Sequence, residues 1–130
     1  MSPYERDYAE DDLSDDSIKT FVQYDLPVLT AKYCTSFTVP ELIDLKEKIQ
    51  SFYEGIIKLE PHPDILFDSL ERHFSLHIRQ VGRHDTAEVN IAMKPEDNAD
   101  SVIVTDTFYL DQSYFPGLLS GLDEMINWQN

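Results

Sequence analysis

His73-Phe-Ser-Leu-His-Ile-Arg79 and Ala87-Glu-Val-Asn-Ile-Ala-Met93 decide the fold. In the first stretch Phe74, Leu76 and Ile78 alternate with His73, Ser75, His77 and Arg79. In the second, Ala87, Val89, Ile91 and Met93 alternate with Glu88, Asn90, Ala92 and Lys94. A period of two marks a strand with one face buried and one face wet. Gly82-Arg-His-Asp85 between them is turn chemistry. The pair therefore reads as an antiparallel hairpin whose polar face meets solvent. A loop, Pro95-Glu-Asp-Asn-Ala-Asp100, leads on to a third strand predicted over about 101–109.

Upstream, Ile18–Tyr24 and Pro27–Thr35 are rich in β-branched and aromatic residues and read as two more strands. The second has an open register, since Leu29, Ala31 and Tyr33 share one face and Val28, Thr30 and Cys34 the other. A helix is predicted over about 39–57. Thr38 is its N-cap, Pro40 fits the first turn, and Glu41 completes a capping box. Leu42, Leu45, Ile49, Phe52 and Ile56 then recur at spacings of three and four, making one apolar stripe. Residues 64–72 fit a helical turn or an edge strand equally. A terminal helix starts near Asp111 and carries Leu118, Leu119, Leu122, Met125 and Ile126. Gly117 and Gly121 weaken its propensity and are expected to allow close packing on the sheet. Asp111 is expected to cap this helix and Tyr114 to lay its ring back on the sheet. The element order is β-β-α-β-β-β-α. It predicts an α+β domain in which an antiparallel sheet of about five strands carries two main helices on one side.

The chain has 130 residues, with 25 Asp+Glu against 10 Lys+Arg, and a formal net charge of −15. That length fits one domain. Seven Phe, seven Tyr and one Trp supply a packed interior. Residues 18–130 are read as that domain. Residues 1–17 carry Glu5, Asp7, Glu10, Asp11, Asp12, Asp15 and Asp16 against Arg6 alone, and read as a flexible or loosely docked acidic arm. The N-terminus lacks the basic and apolar regions of a signal peptide, and no apolar run is long enough to span a bilayer. The expected location is the cytoplasm. The charge opposes direct binding to nucleic acid or to an anionic membrane, because phosphate neutralisation needs a basic surface.

The signatures of catalysis are missing from the sequence. Four glycines, at 55, 82, 117 and 121, build neither a phosphate loop nor a dinucleotide fingerprint. Gly117-Leu-Leu-Ser-Gly121 has its serine one place out of register for a nucleophile elbow. His73 and His77, on one strand face, would lie about 13 Å apart, too far to share a metal. His62 and His84 stand apart from them. Glu96, Asn98 and Asp100 have the alternate spacing of a calcium loop, but Ser101 stands where the turn needs Gly and Thr107 where the closing Glu belongs. Cys34 has only Lys32 nearby and is expected to be a small interior residue. No cofactor, metal or catalytic residue is assigned.

The informative feature is where the charge falls. Residues 95–130 contain Glu96, Asp97, Asp100, Asp106, Asp111, Asp123 and Glu124, and no Lys or Arg. Such a field repels itself in the native state but draws in a cationic partner. Tyr24, Tyr33, Tyr109 and Tyr114 are aromatic groups able to anchor a contact. A small acidic domain without catalytic signatures has the profile of a stoichiometric inhibitor of a basic enzyme, such as a nuclease.

Val102-Ile-Val-Thr-Asp-Thr-Phe-Tyr-Leu-Asp-Gln-Ser-Tyr-Phe-Pro-Gly-Leu-Leu119 resembles the closing strand and helix of the WapI family of immunity proteins. Its Asp111-Gln-Ser-Tyr-Phe115 looks like the family's Asp-Gln-Ser/Thr-Tyr-Leu turn, with Phe115 in place of leucine. Thr35-Ser-Phe-Thr-Val-Pro-Glu-Leu42 is similar to the start of the family's long helix. The resemblance spans about residues 30–127 and leaves out the acidic arm. It implies a protein that binds and blocks a cognate toxin domain of a bacterial polymorphic or contact-dependent system, by occlusion and not by catalysis. It transfers no contact residues. From charge and exposure alone, the expected contacts are Glu96, Asp97 and Asp100, supported by Glu88, Asp106, Tyr109 and the arm carboxylates. The competing expectations are an acidic adaptor or chaperone for a basic protein, and an enzyme with a carboxylate site.

Overall fold

The structure, a computed structural model, describes residues 1–7, 16–70, 72–81, 86–94 and 102–128. Among the described residues, seven strands and two α-helices run in the order β1 Ser2–Asp7, β2 Ser17–Asp25, β3 Thr30–Thr38, α1 Val39–Lys58, β4 Ile65–Asp68, β5 Phe74–Gln80, β6 Ala87–Met93, β7 Val104–Leu110 and α2 Phe115–Ile126. A 3-10 turn over Gln112–Tyr114 leads into α2. The class is α+β as expected, but the single five-stranded sheet is replaced by two antiparallel sheets, β1-β2-β3 and β4-β5-β6-β7. Strand period fixes which face is buried. It says nothing about which hairpins join edge to edge, and that is where the expectation failed.

Two strands complete these sheets. Residues 64–72, open between helical turn and edge strand, hold β4, which pairs Ile65 with Ile78 and Asp68 with Ser75. Arg72, at φ 60°, reverses the chain into β5, and the Ser69 hydroxyl accepts from the Phe74 amide at 3.2 Å. Ser2–Asp7, at the head of the expected arm, forms β1. It pairs with β2 from Ser2↔Phe21 to Asp7↔Ser17, with a register shift between Pro3 and Glu5. Its anchor is the Arg6 guanidinium, 2.9 Å from the buried Asp16 carboxylate. Arg6 also donates to the carbonyls of Ile126 at 2.8 Å and Trp128 at 3.2 Å, tying β1 to the end of α2.

The expected α1 is present with nearly the predicted bounds, and the Thr38 hydroxyl accepts from the Glu41 amide at 3.3 Å. Its stripe of Leu42, Leu45, Ile49, Phe52 and Ile56 is buried. Leu59 closes it in a left-handed conformation, φ 56°. The β5–β6 hairpin has the predicted faces, with Phe74, Ile78, Ala87, Val89, Ile91 and Met93 all buried. Its predicted turn, Gly82–Asp85, lies outside the described residues. In β3 the open register resolves to Ala31, Tyr33, Thr35 and Phe37 inward.

The two sheets meet through side chains. Phe37 of β3 packs edge-on against Phe74 of β5, ring centroids 6.0 Å apart. The Tyr33 hydroxyl donates to the His73 carbonyl at 2.9 Å, and burial pushes that phenol up to about 12. Three side-chain expectations are corrected. Cys34 is exposed on the outer face of the first sheet, because the inward register belongs to its neighbours. Tyr114 is 57% exposed, and Phe115, fully buried, takes the packing role instead. Phe115 stacks on Tyr53 at 5.7 Å and tilts against Phe52 at 5.8 Å. Close packing of α2 on the sheet does not explain Gly117 and Gly121, since a Cβ at either would meet nothing within 4 Å. Among the described glycines, Gly55 is the one that is needed, with the His62 ring 2.4 Å from where a Cβ would stand.

Candidate functional site

β6 and β7 place the three described acidic-surface candidates. Glu88 and Tyr109 are cross-strand partners, on the outward face of the second sheet. Arg79, directly opposite Glu88 on β5, grips it through two bonds of 2.9 and 3.1 Å. The Asn90 amide adds a bond at 3.0 Å, and the Tyr109 hydroxyl lies at 3.4 Å. The Arg79 hydrogen bond, followed by that from Asn90, holds the Glu88 carboxyl down at about 2. Glu88 is therefore a fixed charge whose field is largely answered within the sheet.

Asp106 is one residue out of phase and lies on the opposite face, paired with Ile91. It accepts from the Tyr24 hydroxyl at 2.6 Å, a bond that joins the two sheets. Burial and that bond push the Tyr24 phenol up to about 12. So the structure brings Glu88 and Tyr109 together and separates Asp106 from them. Glu96, Asp97 and Asp100 lie outside the described residues. Elsewhere Lys19 holds Glu5 at 2.9 Å, Lys48 holds Asp44 at 2.9 Å, and Lys46 holds Asp123. With 25 acids for 10 cations, such pairing leaves the net field strongly negative.

Sequence reasoning missed a concave feature among the described residues. A groove of about 1010 Å³ runs between the inward face of the second sheet and α2. Leu76, Ile91 and Phe108 form its floor, and Gly117, Leu118 and Gly121 form the wall given by α2. Met1 and Pro3 of the N-terminal strand border it as well, and so do Glu124 and Trp128. Gly117, Leu118 and Gly121 are exposed and so mark its mouth. The Trp128 indole Nε1 is buried with no hydrogen-bond partner among the described residues. The signal available in the sequence was the pair of glycines four apart in a helix, which faces them the same way.

The three described histidines are placed singly. His77 lies 3.2 Å from Asp64, His73 lies 3.1 Å from the Thr35 hydroxyl, and His62 lies 2.9 Å from the Glu60 carbonyl. Among the described residues there is no group of three or more His, Cys, Asp or Glu able to hold a metal ion. Among them, too, no helix is long and apolar enough to cross a membrane.

Comparison with protein families finds a match along the whole chain. The model of the Immunity protein WapI-like family covers residues 1–130, the whole chain, including the acidic N-terminal stretch. No curated protein matches.

Proposed function

Because the chain belongs to the WapI-like immunity protein family, we propose that it binds a cognate bacterial toxin domain and blocks that domain's active site or substrate access. The family match over the whole chain carries this reading. The charge narrows it. A surface with a net −15 fits a target lined with Lys and Arg, and a nuclease must be so lined to hold phosphates. Inhibition then needs no chemistry from this chain, only carboxylates where phosphates would lie. Glu96, Asp97 and Asp100, between β6 and β7 in the chain, are the proposed electrostatic contacts, with Glu88, Asp106, Tyr109 and the N-terminal acids in support. A bacterial protein that protects a cell from such a toxin works in the cytoplasm, where the toxin's substrate is.

The test starts from the gene immediately upstream: where it encodes a C-terminal toxin domain, that domain is co-expressed with this chain. A tight complex is expected, with an association rate that falls as salt rises, because opposed fields steer encounter. An association rate indifferent to salt removes the steering. Failure to bind or to protect cells removes the immunity reading itself.

A further inference from the structure

We infer that the groove between the second sheet and α2 is the docking site for an apolar segment of the toxin flanked by lysine or arginine, which rests on the immunity reading above. Native interiors hold few voids larger than a water molecule. A groove of about 1010 Å³ floored by the half-buried Leu76 and Phe108 is therefore apolar surface left for something else to cover. Its volume is that of a site able to take bulky side chains from outside.

Two observations describe the occupant. Glycine is among the poorest residues for a helix interior, yet Gly117 and Gly121 stand one turn apart on the groove wall, and no neighbour within 4 Å requires either. They leave a notch through which another chain can approach the α2 backbone. At the groove's border the Trp128 Nε1 is buried without an acceptor among the described residues. Buried donors are nearly always satisfied, and a backbone carbonyl of an inserted segment would satisfy this one. A peptide offers both the apolar bulk and the carbonyl.

Charge selects among possible occupants. Glu124 borders the groove, and residues 95–130 contain no Lys or Arg. A second copy of this chain, itself at −15, is repelled, as is an anionic lipid. A segment with cationic flanks is attracted. The exposed acids then set the rate of encounter, and the buried apolar contact sets how long the complex lasts.

The experiment fills the groove from this chain's own side. Gly117→Leu/Gly121→Leu is expected to keep its fold, read by circular dichroism, and to bind the upstream-encoded toxin domain at least about a hundredfold more weakly, through a faster off-rate. Trp128→Phe, which keeps an aromatic ring but loses the N–H donor and part of the indole's bulk, is expected to weaken binding about tenfold. With the unaltered protein, toxin binding should slow hydrogen exchange across Phe115–Ile126, a measurement that needs no variant. Unchanged affinity in the filled variant, or unchanged exchange in α2 within a formed complex, overturns the groove while leaving immunity intact. A small apolar molecule bound to the purified protein, with full protection by the filled variant, also overturns it. An unaltered protein that fails to bind the toxin domain overturns both.

Discussion

Replacing Arg6 by methionine tests whether the acidic N-terminus is part of the folded core. The Arg6–Asp16 pair is 2.9 Å long, with 13% of the arginine side chain and none of the aspartate side chain exposed. Removing one partner of a buried pair costs about 3–5 kcal/mol, because the remaining charge keeps its desolvation penalty and loses its counter-ion. The slight exposure of Arg6 favours the low end, about 3 kcal/mol. Methionine keeps most of the apolar stem, so lost packing adds little. For a domain of this size, about 3 kcal/mol lowers the melting temperature by about 10–15 °C. Urea denaturation should show the midpoint falling with an unchanged slope. The loss should persist at about 1 M salt, where screening removes exposed pairs but not buried ones. Adding Asp16→Asn should restore part of the stability, since an amide tolerates that burial better than a carboxylate that has lost the Arg6 guanidinium. A loss below about 1 kcal/mol, or one abolished by salt, would show that β1 merely leans on the domain.

Glu88, held near 2, stays ionised far below its ordinary 4.5. Its folded value is depressed, so its contribution is complete above about pH 4.5 and disappears as pH falls through about 2; carboxyl NMR should give that midpoint, and Arg79→Met should move it up. Gly121→Ala should raise stability by about 0.5–1 kcal/mol, because the new Cβ meets nothing and the helix gains propensity. Gly55→Ala should lower it, because the His62 ring occupies the space; thermal melts of the two variants should move in opposite directions. Tyr24→Phe removes the bond to Asp106, should cost about 1 kcal/mol, and should delete one tyrosine step near pH 12 from an ultraviolet titration.

Local signals carried the parts of this fold that are locally determined. The cap at Thr38 and the stripe from Leu42 to Ile56 specify α1 within the chain's own neighbourhood, and α1 appears as Val39–Lys58. Alternation specified the inward faces of β5 and β6 for the same reason. Asp111 does accept from the Ser113 amide at 2.8 Å, although it caps the 3-10 turn ahead of α2. What was lost depends on distant partners. Nothing in Ser2–Asp7 alternates cleanly, and its strand exists because β2 offers an edge and Asp16 offers a counter-ion for Arg6. The division into two sheets is likewise a decision between hairpins and not within one. Charge counts located acids but not their partners, so Glu88 read as available until Arg79 was seen across the strand from it.

The same long-range contacts bear on the groove. Arg6 donates to the carbonyls of Ile126 and Trp128, and Met1 and Pro3 border the space that Trp128 helps to line. The N-terminal strand therefore positions the end of the proposed docking site as well as closing the first sheet. Loss of Arg6 should weaken toxin binding by more than loss of its charge accounts for, since removing one positive charge from a chain at −15 strengthens attraction to a basic partner. The two effects have opposite signs and separate kinetically. Steering predicts a faster association for Arg6→Met, and a loosened Trp128 predicts a faster dissociation. Measured together at two salt concentrations, a faster on-rate with an unaltered off-rate would confine β1 to a structural part, whereas the paired acceleration would tie the acidic N-terminus to recognition through the groove.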